Sequence, residues 1–125
     1  MNREKQIHIA VFLLRIVSGF LFMLYGGMKL FGWFGGVPVP LESLMGLAGI
    51  LEFGGGLLMI LGLWVRPVAF IIAGEMATAY FMGHASQGYV FAPPVNEGTP
   101  SVLFCFIFLF FAAYGAGKWS LGKNG

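Results

Sequence analysis

Four stretches of this chain are apolar enough to leave water: Ile7 to Phe31, Leu44 to Trp64, Val68 to Ala85 and Ser101 to Gly117. Crossing the hydrocarbon of a bilayer takes about 20 mostly apolar residues in a helix. The last two stretches are short, so they cross with little tilt or gain length from flanking residues. The breaks carry turn chemistry. Gly32 to Pro40 holds three glycines and two prolines, Arg66-Pro67 interrupts a continuous helix, and Gln87 to Pro100 is polar with three prolines. The pattern predicts an all-α fold, a transmembrane four-helix bundle formed by a single membrane domain over residues 1–125. The second and third spans form a tight hairpin.

Composition supports a lipid environment. With 58% hydrophobic and 10% charged residues, against about 25% charged in soluble domains, the chain has too little polar surface to cover a water-facing fold. The net charge of +2 is small and the seven Lys and Arg are scattered, which argues against a nucleic-acid partner. Cys105 is the one cysteine. That excludes an internal disulfide and a multi-thiolate zinc site, no metal site is expected, and any redox role has to borrow an electron carrier. The first apolar run is too long for a signal h-region, contains Arg15 and lacks a small-x-small cleavage site, so it reads as a retained span.

With an even number of crossings, Arg3, Lys5, Arg66, Lys118 and Lys123 fall on one side and Lys29 near the other. The excess of positive charge places both termini in the cytoplasm of a multi-pass inner-membrane protein. Trp33, Trp64 and Trp119 lie at span ends, where an indole buries its ring and keeps its N–H wet.

Arg15, Glu52 and Glu75 fall inside the spans. Each costs at least ~2.5 kcal/mol at the bilayer centre when it faces lipid unpaired, so each is expected to face inward. On the first helix His8, Arg15, Ser18, Phe22, Tyr25 and Lys29 recur at steps of three, four or seven and share a stripe. Counting depth along the spans sets Arg15 level with Glu75, and Glu52 within reach of Arg15 or, less easily, Lys29. Gly46, Gly49, Gly54, Gly55, Gly56 and Gly62 surround Glu52; in lipid such residues let helices approach closely.

Two readings of these charges stay open. In one, they form buried ion pairs and hydrogen bonds that fix helix register. In the other, they line a polar cavity that binds a small polar or quinone-like molecule, or they relay protons through Glu52, Glu75 and His84. Nine residues separate Glu75 from His84, which puts them on opposite faces of an ideal helix. His84 shares a face with Tyr80 and reads as an interfacial hydrogen-bonding residue. Phe104, Phe106, Phe108, Phe110 and Phe111 read as packing or lipid-facing surface, and Cys105 among them as an inert thiol. Ser18, Ser86 and Ser101 lack triad partners, so no catalytic residue is assigned.

From Leu14 to Leu121 the chain resembles the DoxX family of small four-span membrane proteins. The resemblance rests on Leu14-Arg15, Tyr25-Gly26-Gly27-Met28-Lys29-Leu30-Phe31-Gly32-Trp33, Glu52-Phe53-Gly54-Gly55-Gly56, Gly74-Glu75-Met76 with Ala79-Tyr80-Phe81 and His84, and Gly117-Lys118-Trp119-Ser120-Leu121. Relatives often carry His at the position of Tyr25 and an acidic residue at that of Thr99, where this chain has Glu97 two residues earlier. The resemblance implies membrane redox physiology: quinone-linked oxidation of sulfur compounds, thiol and oxidative-stress partners, or detoxification of quinone-like compounds.

The leading expectation is a non-catalytic membrane subunit or scaffold of an oxidoreductase or oxidative-stress system, with a quinone-sized pocket between helices and quinone as its ligand. A redox or thiol-handling protein is the expected partner, alongside the lipid bilayer. Arg15, Glu52 and Glu75 form the expected polar centre, and Tyr25, Lys29 and His84 its outer mouth. The alternatives are a small proton-coupled transporter or channel-like protein, for which four helices call for a homodimer, and a purely structural membrane protein.

Overall fold

A computed structural model describes residues 1–122, and Lys123 lies outside them. The first helix, α1 (Arg3–Phe31), is capped by Asn2, whose side chain accepts from the Lys5 N–H at 2.8 Å. Its 29 residues extend roughly 43 Å at about 1.5 Å each. That exceeds a hydrocarbon core of about 30 Å, so the polar first turn projects beyond it.

Ser43 caps α2 (Leu44–Leu61) by accepting from the Gly46 N–H at 3.0 Å. Gly62, at φ 74°, ends that helix in the left-handed conformation that glycine adopts without a Cβ clash. The hairpin between the second and third spans is present, but its turn lies at Gly62–Trp64 and not at Arg66-Pro67. Helix α3 (Val65–Ala79) has already begun there. Pro67 sits in its first turn, where a missing N–H breaks no helical bond.

Beyond Ala79 the same rod continues through a π turn at Tyr80–His84 and a 3-10 turn at Ala85–Gln87, so Val65–Gln87 is 23 residues long. A short α4 (Pro93–Asn96) interrupts the following loop, and α5 (Thr99–Tyr114) opens with Pro100 in its first turn. α5 ends at Tyr114, before the expected Gly117. Its 16 residues span roughly 24 Å.

The fold is all-α, with no strand among the described residues. Among the described residues three helices, Arg3–Phe31, Leu44–Leu61 and Val65–Gln87, are long and apolar enough to cross a membrane, and Thr99–Tyr114 is a shorter apolar helix. The backbones of α1 and α2 and of α3 and α5 run close together, while α1 meets α5 through long side chains, Phe22 lying 5.3 and 4.8 Å from Phe104 and Phe108 between ring centres. The N-terminus, the α2–α3 turn and the segment after Tyr114 share one end of the bundle, the terminal end. The loops before α2 and before α5 form the other, the loop end.

Glycine sets the α1–α2 spacing. A Cβ on Gly56 would lie 2.5 Å from the Gly19 carbonyl oxygen, and one on Gly19 would lie 2.8 Å from that of Gly56. A second near-contact pairs Gly26 with Gly49 toward the loop end. The aromatic run of α5 divides as a packed helix requires: Phe104, Phe108 and Phe111 enter the core with Phe22, Met59 and Ile72, while Phe106 and Phe110 face outward. Cys105 is half-buried against that core.

Candidate functional site

The close seam between α1 and α2 brings Lys29 to Glu52. A Cβ at Gly49 would stand only 3.1 Å from the Lys29 Cβ, so the bare glycine lets the base of the lysine lie flat on α2. Lys29 Nζ then donates to Glu52 Oε1 at 2.5 Å. Glu52 is 2% exposed, and such an ion is tolerated in an apolar interior only when paired. The same ammonium lies 5.9 Å from the centre of the Tyr25 ring, within cation–π range.

Arg15 is 1% exposed, as an inward-facing charge should be, but it meets neither carboxylate. Its Nε donates to the Met59 carbonyl at 2.9 Å, its Nη1 to Ala116 at 2.5 Å and more weakly to Lys118 at 3.5 Å, and its Nη2 to Trp119 at 2.9 Å. The level pairing with Glu75 fails because the segment after α5 turns back into the bundle and presents its carbonyls at the depth of Arg15. Leu121 and Gly122 extend the same clasp, donating their N–H groups to the carbonyls of Leu61 and Gly62 at 3.0 and 3.1 Å. Arg15 therefore belongs to the terminal end and lines no part of the cavity described next.

Between the two helix pairs, toward the loop end, lies a cavity of about 660 Å³. Tyr25, Lys29, Glu52, Glu75 and His84 all line it, so five of the six expected residues converge. Phe22, Met76 and Phe104 form apolar wall, and the rim carries Leu44, Met45, Leu47, Ile71 and Met82, all exposed. Glu75 stands beside Glu52, and its Oε1 is buried with no hydrogen-bond partner among the described residues. The two acids are thus served by one close base.

His84 reaches this cavity despite the nine-residue spacing. Five residues wound as a π turn rotate the chain less per residue than an α-helix, and Tyr80–His84 form such a turn. The opposite-face expectation is corrected by that change of register. His84 stacks on Tyr80 at 6.3 Å between ring centres, and its Nδ1 lies 3.2 Å from the Asn96 carbonyl.

Asn96 is the residue that sequence reasoning missed. It is buried in the loop before α5 and ties that loop together. Its Nδ2 donates to the Tyr80 hydroxyl at 3.0 Å and to the carbonyls of Tyr89 and Gly88 at 3.2 and 3.3 Å. Its Oδ1 accepts from the Gly98 N–H at 2.9 Å, and the Tyr80 hydroxyl donates to the Val90 carbonyl at 2.6 Å. An asparagine caught between prolines and a glycine is the only trace of this in the sequence.

A helical bundle that seats an ion pair and a second carboxyl group in an apolar cavity defines a class, the helical membrane proteins with a polar site enclosed between spans. Within that class the chain belongs to the DoxX family, whose sequence model, described as DoxX, matches residues 10–85. All six expected site residues fall inside the match. The chain is also similar to an uncharacterized protein of Haemophilus influenzae, 38% identical over 128 residues that cover 98% of this chain and 96% of the relative. No solved structure matches.

Proposed function

We propose that this membrane protein is a non-catalytic subunit or scaffold of an oxidoreductase or oxidative-stress system, and that its cavity takes a quinone-sized molecule. The reading includes an inner-membrane location with cytoplasmic termini, supported by Arg3, Lys5, Arg66 and Lys118 gathering at the terminal end. The observation that carries it is the 660 Å³ cavity, within the range of about 300–1,000 Å³ usual for small-molecule sites. Aromatic and aliphatic walls suit a flat ring, and a few polar groups at one depth suit its oxygens. Arg15, outside the cavity, serves as a clasp for the C-terminal segment.

Purified protein in lipid nanodiscs should bind a quinone analogue saturably, and gentle extraction from cells should bring a redox or thiol-handling enzyme with it. If neither occurs, the reading fails. Glu75, a cavity carboxyl without a base of its own, favours a second reading as a small proton-coupled transporter. Uptake into proteoliposomes that follows a pH gradient and vanishes in Glu75→Gln would select it.

A further inference from the structure

Helices α2 and α3 diverge on the way to the loop end. They meet where Gly55 leaves room for Ile72, since a Cβ on Gly55 would lie 2.8 Å from Ile72 Cγ2. One turn further on, the cavity begins at Leu51 and Glu52 on one helix and at Glu75 on the other. Leu44, Leu47 and Leu51 line it at helical spacing from α2, and Ile71, Glu75, Thr78 and Met82 from the α3 rod. On that second stripe Glu75 is half-buried, while Ile71, Thr78 and Met82 on either side of it are exposed. The stripe is thus the edge of a gap that opens sideways, and in a bilayer an opening between spans faces hydrocarbon.

Charge balance decides the state of the acid at this edge. Lys29 brings one positive charge, however its three N–H groups are shared, and Glu52 and Glu75 bring two carboxyl groups. With both acids ionised the trio would carry a net negative charge in an apolar space; with one proton kept it is neutral. Neighbouring carboxyl groups settle such a conflict by keeping a proton between them. Glu52 holds the ammonium at 2.5 Å and takes the charge. Glu75, whose Oε1 is buried with no partner among the described residues, keeps the proton. We propose that Glu75 presents a protonated carboxyl group to lipid through the α2–α3 gap, and is a modification site for lipid-soluble electrophiles of the carbodiimide class. The step consumes the acid form: a carboxyl oxygen bonds the central carbon of the carbodiimide and the acid proton passes to one of its nitrogens. The acyl group then shifts from oxygen to nitrogen, leaving a stable N-acylurea that contains the whole reagent. Glu52, ionised and held by Lys29, has no proton to give. The inference goes beyond the quinone reading and needs no quinone, and the same gap gives any lipid-dissolved ligand a sideways entry to the cavity.

The test exposes the full chain in nanodiscs to dicyclohexylcarbodiimide, which dissolves in lipid, and separately to a carbodiimide bearing a fixed quaternary ammonium group, which stays in water. Peptide mass spectrometry locates the adducts. The lipid-soluble reagent should label Glu75 at least about tenfold faster than Glu52, because one member of a coupled pair keeps the shared proton. The charged reagent should label the exposed Glu4, Glu42 and Glu97 and spare Glu75. Leu47→Trp and Ile71→Trp, which set an indole at the edge of the gap, should slow the labelling of Glu75 severalfold. Leu57→Trp, exposed on α2 but away from the cavity, should leave it unchanged. No adduct at Glu75, equal labelling of Glu52, or a charged reagent that reaches Glu75 as fast as the lipid-soluble one overturns the inference, as does unchanged labelling in both folded edge variants. The comparison of reagents on the wild-type protein decides the matter even where a variant does not fold, and each of these results leaves the quinone reading to its own titration.

Discussion

Lys29 and Glu52 face each other across the α1–α2 seam, with Nζ 2.5 Å from Oε1 and the carboxylate side almost wholly buried. The pair lies on the cavity wall, so it acts on packing and on the ligand site together. Removing one partner of a buried pair leaves an uncompensated charge and costs about 3–5 kcal/mol, whereas replacing both by apolar groups is often nearly neutral. Lys29→Met should therefore destabilise the protein by about that amount in denaturant titrations in mixed micelles. Lys29→Met with Glu52→Met should recover most of the loss. A single Lys29→Met variant as stable as wild type would show that the pair does not hold the seam.

Arg15 acts by other means, through carbonyls at the end of α2 and in the segment after α5. Each buried carbonyl left without its donor costs about 1–3 kcal/mol. Arg15→Leu should free the C-terminal segment while α1, α2, α3 and α5 persist. Amide exchange is the direct readout, because the N–H groups of Leu121 and Gly122 are held by Leu61 and Gly62. Those two amides should lose protection before any amide in α1 or α2. Unchanged protection at both would mean that the clasp forms without Arg15.

The α1–α2 spacing predicts opposite outcomes for chemically identical changes. Gly56→Ala thrusts a methyl group toward the Gly19 carbonyl, since its Cβ would lie 2.5 Å away, and overpacking of this kind costs about 1–3 kcal/mol. Gly54→Ala meets nothing within 4 Å, and should be neutral or stabilising by up to about 1 kcal/mol through helix propensity. Both variants are compared by unfolding midpoint. Equal midpoints would mean that the seam is looser than its geometry implies.

The spans and the inward-facing charges were legible in the sequence because lipid leaves few options: a charge at mid-span has to be hidden, and Arg15, Glu52 and Glu75 all turn inward. Their partners were harder to read. Arg15 meets backbone carbonyls, which every residue carries, so no side-chain pattern announces them. Counting depth along apolar runs also ignores a chain end that folds back among the helices. By depth along the spans Lys29 is the harder reach for Glu52, yet Gly26 and Gly49 shorten that distance, and the glycines of α1 signal it only once α2 is laid antiparallel beside them. The π turn at Tyr80–His84 is silent, since each of its residues is also compatible with an α-helix.

Asn96 offers the sharpest test of how the loop end shapes the cavity. Its side chain bonds Tyr80 and the Gly98 N–H, and its own carbonyl lies against His84. Truncation takes the amide donor from the Tyr80 hydroxyl and from the Gly88 and Tyr89 carbonyls and leaves the Gly98 N–H on the Pro93 carbonyl alone; a buried acceptor left without its donor costs about 1–3 kcal/mol. Asn96→Ala should therefore open the loop before α5, raising exchange at Gly98 and exposing the loop to protease, while the Lys29–Glu52 pair at the α1–α2 seam is untouched. Because Glu97, Pro100 and Ser101 line the cavity just beyond, ligand affinity should fall along with loop protection. If affinity fell with the loop still protected, Asn96 would be acting on the ligand itself and not through the geometry of the loop.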